Sequence, residues 1–424
     1  MKEIATDFSI AKNALPELKK DLEHLRSKAE FVQAEHSMLS QGGISFICGY
    51  VPETELQNLR NAADRNGWAL LIDDPDSEDT EIPTYIRKKK FLDILDPLFD
   101  FIGITPGYYE SDVYLFFFLF FPLFFGMIVG DAGYSVLLIC AGVIGRVLLR
   151  GKTAAQMAPV NLLIYLSSFS LLWGWLNGAW FGMERALLPD ILSGWNFFVD
   201  PKNSPFALKF LNFYHQNVNA PNYDWASVSN KIVQYLCFLL AAIHLSLAHV
   251  VRFFTGIRKD WRAIAHIGWF GMIVSNFILA TSLIVFPGTF PGCGVYFYIA
   301  SVLLIFITVR PADYLSLPND LIGSFVDVLS YIRLFAVGLS GAYIAQKFNM
   351  MGLMLKDAFP ERFAIVAVLF LALVAVLGHA LNLALTFLSV LVHAIRLNTL
   401  EFSNHMGLQW SGIKFKPFSS KSSK

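Results

Sequence analysis

From Asp112 onward, apolar residues run almost unbroken between short polar interruptions. Eight stretches stand out, at about 113–129, 134–149, 158–182, 232–251, 263–287, 294–309, 321–346 and 363–395. Each approaches or exceeds the roughly 20 residues with which an α-helix crosses the hydrocarbon of a bilayer. The pattern predicts a mostly α, polytopic membrane protein with eight transmembrane helices. Only Gly130-Asp131-Ala132-Gly133 separates the first two stretches, which reads as a tight hairpin or a re-entrant break. The last stretch has 33 residues without a formal charge. At about 1.5 Å per residue it would be about 50 Å long, against a hydrocarbon core of about 30 Å. The last two helices are therefore expected to be long, and to tilt or protrude.

Ahead of Asp112 the pattern changes. Pro16 to about Ser40 reads as a charged helix with a short coiled-coil seam, Leu15, Leu18, Leu22 and Leu25, at 3-4-3 spacing. Ile44 to Tyr50 reads as a strand ended by Pro52, Glu53 to about Arg65 as a helix, and Trp68 to Ile72 as a second strand. This β-α-β unit is too small to bury a core alone and is expected to lean on a partner or on the coiled coil. The expected organisation is a small cytoplasmic α/β and coiled-coil domain over 1–111, then a membrane domain over 112–424 with a cytoplasmic tail.

Composition sharpens the division. Hydrophobic residues make up 55% of the chain and charged ones 16%, where a soluble protein carries about 25%. Half of the charged residues fall within the first 112 positions. With the N-terminus inside, twelve Lys and Arg fall in inner loops and the tail and seven in outer loops, which favours both termini inside. The run Arg87-Lys88-Lys89-Lys90 reads as a solvated juxtamembrane turn, or as a contact with anionic lipid heads. A formal net charge of zero removes the usual case for nucleic-acid binding. Cys48, Cys140, Cys237 and Cys293 are too scattered for a metal site or a disulfide framework. The charged first 40 residues do not read as a signal peptide, and no glycosylation sequon occurs. Nor is there a P-loop, GxSxG or HExxH, so the chain is expected to have no catalytic site of its own and no cofactor or metal.

Ionisable groups inside a membrane span are costly and point to function. The seventh stretch carries Asp327 and Arg333, six residues apart and so not on one face. Beyond Arg333, small residues from Ala336 to Ala345 let another helix approach. This favours a partner for Arg333 on another chain, with an intrachain salt bridge as the alternative. In the eighth stretch His379, Asn382, Thr386, Ser389, His393 and Arg396 follow 3-4-3-4-3 steps, one stripe of a helix. A long polar stripe fits a water-lined path better than interhelical hydrogen bonding, which accounts for one or two such residues. His244, His249, His266 and Glu184 read as packing or interface residues.

Phe120-Phe121-Pro122-Leu123-Phe124-Phe125-Gly126-Met127-Ile128-Val129-Gly130-Asp131-Ala132-Gly133-Tyr134 resembles a signature of the membrane subunit a, or prokaryotic subunit I, of V-type and A-type rotary ATPases. Ser330-Tyr331-Ile332-Arg333-Leu334-Phe335-Ala336 resembles that family's arginine motif, and His393-Ala394-Ile395-Arg396-Leu397 with Glu401 its eighth-helix ending. Lys414-Phe415-Lys416-Pro417-Phe418 resembles its C-terminal tail, and Gly49-Tyr50-Val51-Pro52-Glu53 its membrane-proximal cytoplasmic segment. The resemblance covers about residues 44–418.

What the resemblance implies is a stator facing a ring of proteolipid subunits, each with a carboxylate. Arg333 matches the essential arginine and Arg396 a supporting one, with two offset half-channels carrying H+ or Na+ to the ring. It also implies peripheral-stalk partners, central-stalk and ring-associated subunits, surrounding lipid, and a prokaryotic cytoplasmic membrane. Against the family's usual length the cytoplasmic domain is shortened, which leaves open a naturally short arm or a piece starting at an internal Met. Thr386 stands where some members place a glutamate. A stand-alone secondary transporter using Arg333 and the His379–Arg396 stripe is the competing class. Such proteins often carry internal repeats; none is visible here, and the Gly130-Asp131 break has no counterpart in the second half. A non-conducting scaffold would leave the stripe unexplained.

Overall fold

The computed structural model describes residues 2–41, 43–76, 79, 81–87, 89–184, 187–216, 218, 223–288, 290–357 and 359–417. Lys88 of the basic run, Arg185, and the tail residues Phe418, Lys421 and Lys424 lie outside the described residues. The chain divides into two compact units, Met1–Ile86 with Thr105–Tyr108 and Ser411–Lys424, and Arg87–Ile104 with Tyr109–Trp410.

In the first unit α1 (Lys2–His36) is a single charged helix. The four leucines of its seam are between 49% and 62% exposed. The expected strand at Ile44–Tyr50 is shorter than read. β1 (Leu39–Gln41) pairs antiparallel with β2 (Ile44–Phe46), turning at Gly43, whose φ of 83° favours a residue without a Cβ. After Pro52 and one 3-10 turn, α2 (Leu56–Asn66) ends on left-handed Gly67. Trp68–Ile72 does not form the second strand. Leu71 is 93% exposed there, and an extended segment without a neighbouring strand leaves its ladder groups to water. The other pairing in this unit is parallel, β3 (Pro83–Thr84) with β4 (Ile413–Lys414). The Tyr50 hydroxyl donates to Asp79, which holds that carboxyl below its ordinary range and pushes the phenol up.

The second unit is helical. Among the described residues, five helices are long and apolar enough to cross a membrane: Ala154–Leu176, Val228–Gly256, Trp261–Val285, Leu317–Asp357 and Ala364–Met406. Three shorter apolar helices, Tyr114–Val129, Ala132–Leu148 and Gly294–Thr308, fall on the first, second and sixth expected stretches. After α3 (Asp96–Ile102) come α4 (Tyr114–Val129), α5 (Ala132–Leu148) and α6 (Ala154–Leu176). The long connection that follows holds α7 (Asn196–Val199) and α8 (Pro205–Phe213). Then α9 (Val228–Gly256), α10 (Ala265–Ala280) and α11 (Gly292–Thr308) precede α12 (Leu317–Ser330), α13 (Ile332–Asp357) and α14 (Ala364–Ser389). Beyond α14 the chain winds through two π-helical turns, Val390–Ala394 and Leu397–Phe402, into α15 (Ser403–Met406).

At the centre lies α4, twelve of whose sixteen residues are buried. It packs against α6, α13 and α14. Small residues make these approaches possible. A Cβ on Gly126 would sit 3.1 Å from the Phe169 backbone, and one on Gly338 only 2.4 Å from the Met127 carbonyl oxygen. At the other edge α13 and α14 pair along their length, yet only 11% of the most apolar window of the last helix is buried, against 50% for α9 and for α10. Among the described residues, one face of the α13–α14 pair is thus left open.

Candidate functional site

The long seventh helix is interrupted at Tyr331, between α12 and α13. The interruption turns Arg333 back toward the end of α12, where its Nε donates to the Ser330 carbonyl at 2.8 Å. Its Nη2 donates to Glu401 Oε1 at 2.6 Å. Arg396 Nε lies 3.3 Å from the same oxygen. Glu401 stands in the second π turn, where the extra residue per turn swings its side chain inward, and it is 3% exposed. The arginine side chains stay 24% and 53% exposed, so the carboxylate sits behind two guanidinium groups that reach the open face. Within this chain Arg333 therefore has an ion-pair partner. The expectation of a partner on another chain is corrected to that extent.

Asp327, one and two-thirds turns before Arg333, points elsewhere. Its Oδ2 accepts from His405 Nε2 at 3.1 Å. With that proton on Nε2, His405 Nδ1 is the acceptor for His249 Nε2 at 2.9 Å. His249 Nδ1 is in turn 3.3 Å from His266 Nδ1. The contacts are satisfied by three imidazoles donating in one direction, toward Asp327. His249 and His266, read from the sequence as packing or interface residues, thus belong to a connected polar chain between helices. His244 does pack: it stacks between Phe120 and Phe402, with Nδ1 2.7 Å from the Tyr331 hydroxyl.

A second polar chain joins α5, α13 and α14. Asn382 Nδ2 donates to the Tyr134 hydroxyl at 3.1 Å and to the Gly341 carbonyl at 2.9 Å. Tyr134 Oη lies 2.7 Å from His379 Nδ1, and His379 Nε2 lies 3.1 Å from Asn349 Oδ1. Asn349 Nδ2 donates to the Phe181 carbonyl at 2.7 Å, so its Oδ1 faces His379 and accepts from Nε2. Directly beside this chain, Asp131 caps α5 by accepting from the Tyr134 backbone N–H at 3.1 Å. The break is held from behind by residues after α6, where Ala132 N donates to the Ala179 carbonyl at 2.8 Å. A Cβ on Gly174 would sit 2.2 Å from Ala132 N, and one on Gly133 2.4 Å from the Phe181 ring. Pro122 lies inside α4, left-handed Gly130 ends it, and Gly126 and Gly133 sit at close approaches to neighbouring residues.

The six-residue stripe splits in two. His379 and Asn382 bond across helices, while Thr386 and Ser389 return their hydroxyls to the carbonyls of Asn382 and Leu385. His393 Nδ1 is buried without a partner among the described residues, and Arg396 is the more exposed of the two arginines. Sequence reasoning passed over His405, Tyr134 and Asn349 as chemical groups. Tyr134 had a signal, since it closes the signature stretch; His405 had none, as its partners lie 78 and 156 residues away.

No family model matches the chain. Relatives of similar sequence do occur. It is 33% identical over 434 residues to a V-type ATP synthase subunit I of Borreliella burgdorferi, covering 97% of this chain and 66% of the relative. To V-type ATP synthase subunit I 1 of Treponema pallidum it is 33% identical, covering 94% and 62%. An A-type ATP synthase subunit I of Archaeoglobus fulgidus is 26% identical over 88% of this chain and 58% of its own length. The chain thus spans a little under two thirds of the length of the relatives it matches.

Proposed function

The chain belongs to the subunit I family of prokaryotic V-type and A-type ATP synthases, and on that premise we propose that it is the stator of the membrane motor in such a complex. In this reading it spans the cytoplasmic membrane eight times, both termini inside, and couples H+ or Na+ translocation to ATP hydrolysis or synthesis. The open face of α13 and α14 meets a ring of proteolipid subunits, where Arg333, with Arg396 beside it, faces each ring carboxylate in turn. A guanidinium stays charged at any physiological pH, so it favours the ionised carboxylate without carrying a proton itself. The single observation that carries the reading is this pair of arginines, held by a buried Glu401 and reaching a face that the chain leaves uncovered.

The two polar chains supply the material for two half-channels on either side of the arginine. One runs through Tyr134, His379 and Asn349, with Asn382 and Thr386 as its buried end; the other runs through Asp327, His405, His249 and His266, with Ser389 and His393 on the same side. The second ends near the loop carrying Arg258, Lys259 and Arg262, the side that the loop charges assign to the cytoplasm. The first unit would meet peripheral-stalk subunits, and central-stalk and ring-associated subunits would join the complex through the ring. A stand-alone transporter is not favoured, since the relatives are named as synthase subunits. Gentle solubilisation and affinity purification of this chain should bring down a small, Gly-rich proteolipid oligomer at fixed stoichiometry. Purification as a lone, transport-competent polypeptide would contradict the proposal.

A further inference from the structure

Glu401 carries an arrangement that stability alone does not explain. Its Oε1 is shared by Arg333 and Arg396, while Oε2 is buried without a hydrogen-bond partner among the described residues. A buried carboxylate gains little net stability from its ion pairs, and apolar replacements of such clusters are often as stable or more so. Asp327 is turned away to His405, and His393 presents an unpartnered Nδ1 rather than a carboxylate. Within the cluster itself, two guanidinium groups and one carboxylate leave a single net positive charge.

We propose that Glu401 is a positioning residue whose role is electrostatic, fixing both arginines and trimming their combined charge to one. The inference rests on the stator reading, because it concerns what an incoming carboxylate from the ring meets. Opposite one positive charge, that carboxylate is matched on arrival and can leave again. Opposite two, it would be attracted more strongly and released more slowly, since the attraction grows in proportion to the charge it faces. A stator has to let go of every subunit that passes, so excess binding of the ground state slows turnover. The irregular winding from 397 to 402 is what delivers the carboxylate. A π turn brings Glu401 inward behind the guanidinium groups, where it does not occupy the face that the ring would use.

The test is ATP-driven ion uptake into vesicles by the complete reconstituted complex, normalised to assembled complex. Glu401→Gln keeps the shape and one acceptor oxygen but removes the charge, and uptake should fall at least about tenfold, equivalent to about 1.4 kcal/mol. Adding Arg396→Gln restores the single net charge, and the double variant should transport faster than Glu401→Gln alone. A purely structural Glu401 predicts the opposite, because the second change removes a further contact. Assembly is read in the same way: a defect in Glu401→Gln that the double variant repairs supports charge balance. Unchanged uptake in Glu401→Gln, or a double variant no better than the single one in rate or assembly, overturns the inference. Arg333→Ala in the same preparation separates the two claims. If it abolishes uptake while Glu401→Gln does nothing, only the role of Glu401 falls.

Discussion

At Gly338 a single hydrogen atom decides how close two helices come. A methyl group there would lie 2.4 Å from the Met127 carbonyl oxygen, a backbone atom that cannot swing aside. Gly338→Ala should therefore push α13 off α4 and destabilise the protein by about 1–3 kcal/mol, the usual range for overpacking. Gly323 is the matching control. It is also helical, but nothing lies within 4 Å of its missing Cβ, so Gly323→Ala should be neutral or stabilising by up to about 1 kcal/mol. Thermal unfolding of the detergent-solubilised protein measures both; equal effects would show that the close approach is not as drawn. The same resolution applies to Asp131, which the sequence placed between glycines at the start of a helix and the structure shows capping it. The cap is a local contact, with its partner three residues away. The bond between Arg333 and Glu401 was not legible, since 68 residues separate them.

Among whole elements, the apolar runs were readable because a helix in hydrocarbon must satisfy its backbone internally and cover itself with apolar side chains over about 20 residues. The same economy hides local detail. The 3-4-3-4-3 stripe assumes 3.6 residues per turn throughout, yet Val390–Ala394 winds as a π turn and rotates all that follows. Small strands were the other failure: Trp68–Ile72 has the residues of a strand but no neighbour to pair with. The division of the stripe yields a labelling prediction. In a background without native cysteines, single cysteines at Ser389 and His393, which are half-buried, should react with a membrane-impermeant thiol reagent from the side bearing the C-terminus. Cysteines at Asn382 and Thr386 should react much more slowly, because both sites are buried against α13 and the residues around Tyr134. Fast labelling at all four would mean that water runs the length of α14; labelling at none would leave the stripe as helix packing.

For the molecule as a whole, the distribution of burial sets the frame. Packing is concentrated around α4, α9 and α10, and thins out toward α13 and α14, the pair that carries Arg333 and leads to Arg396 and Glu401. A charged cluster at the thinly covered edge of an apolar bundle makes physical sense if another apolar surface closes over it and brings a counter-charge. The most direct measurement is ATP-driven ion uptake by vesicles containing the fully assembled complex with Arg333→Ala, beside wild type and Arg333→Lys. Uptake should drop to background in Arg333→Ala and be severely impaired in Arg333→Lys, whose compact ammonium lacks the planar fork that reaches both Ser330 and Glu401. Normal uptake by correctly assembled Arg333→Ala complex would contradict the account.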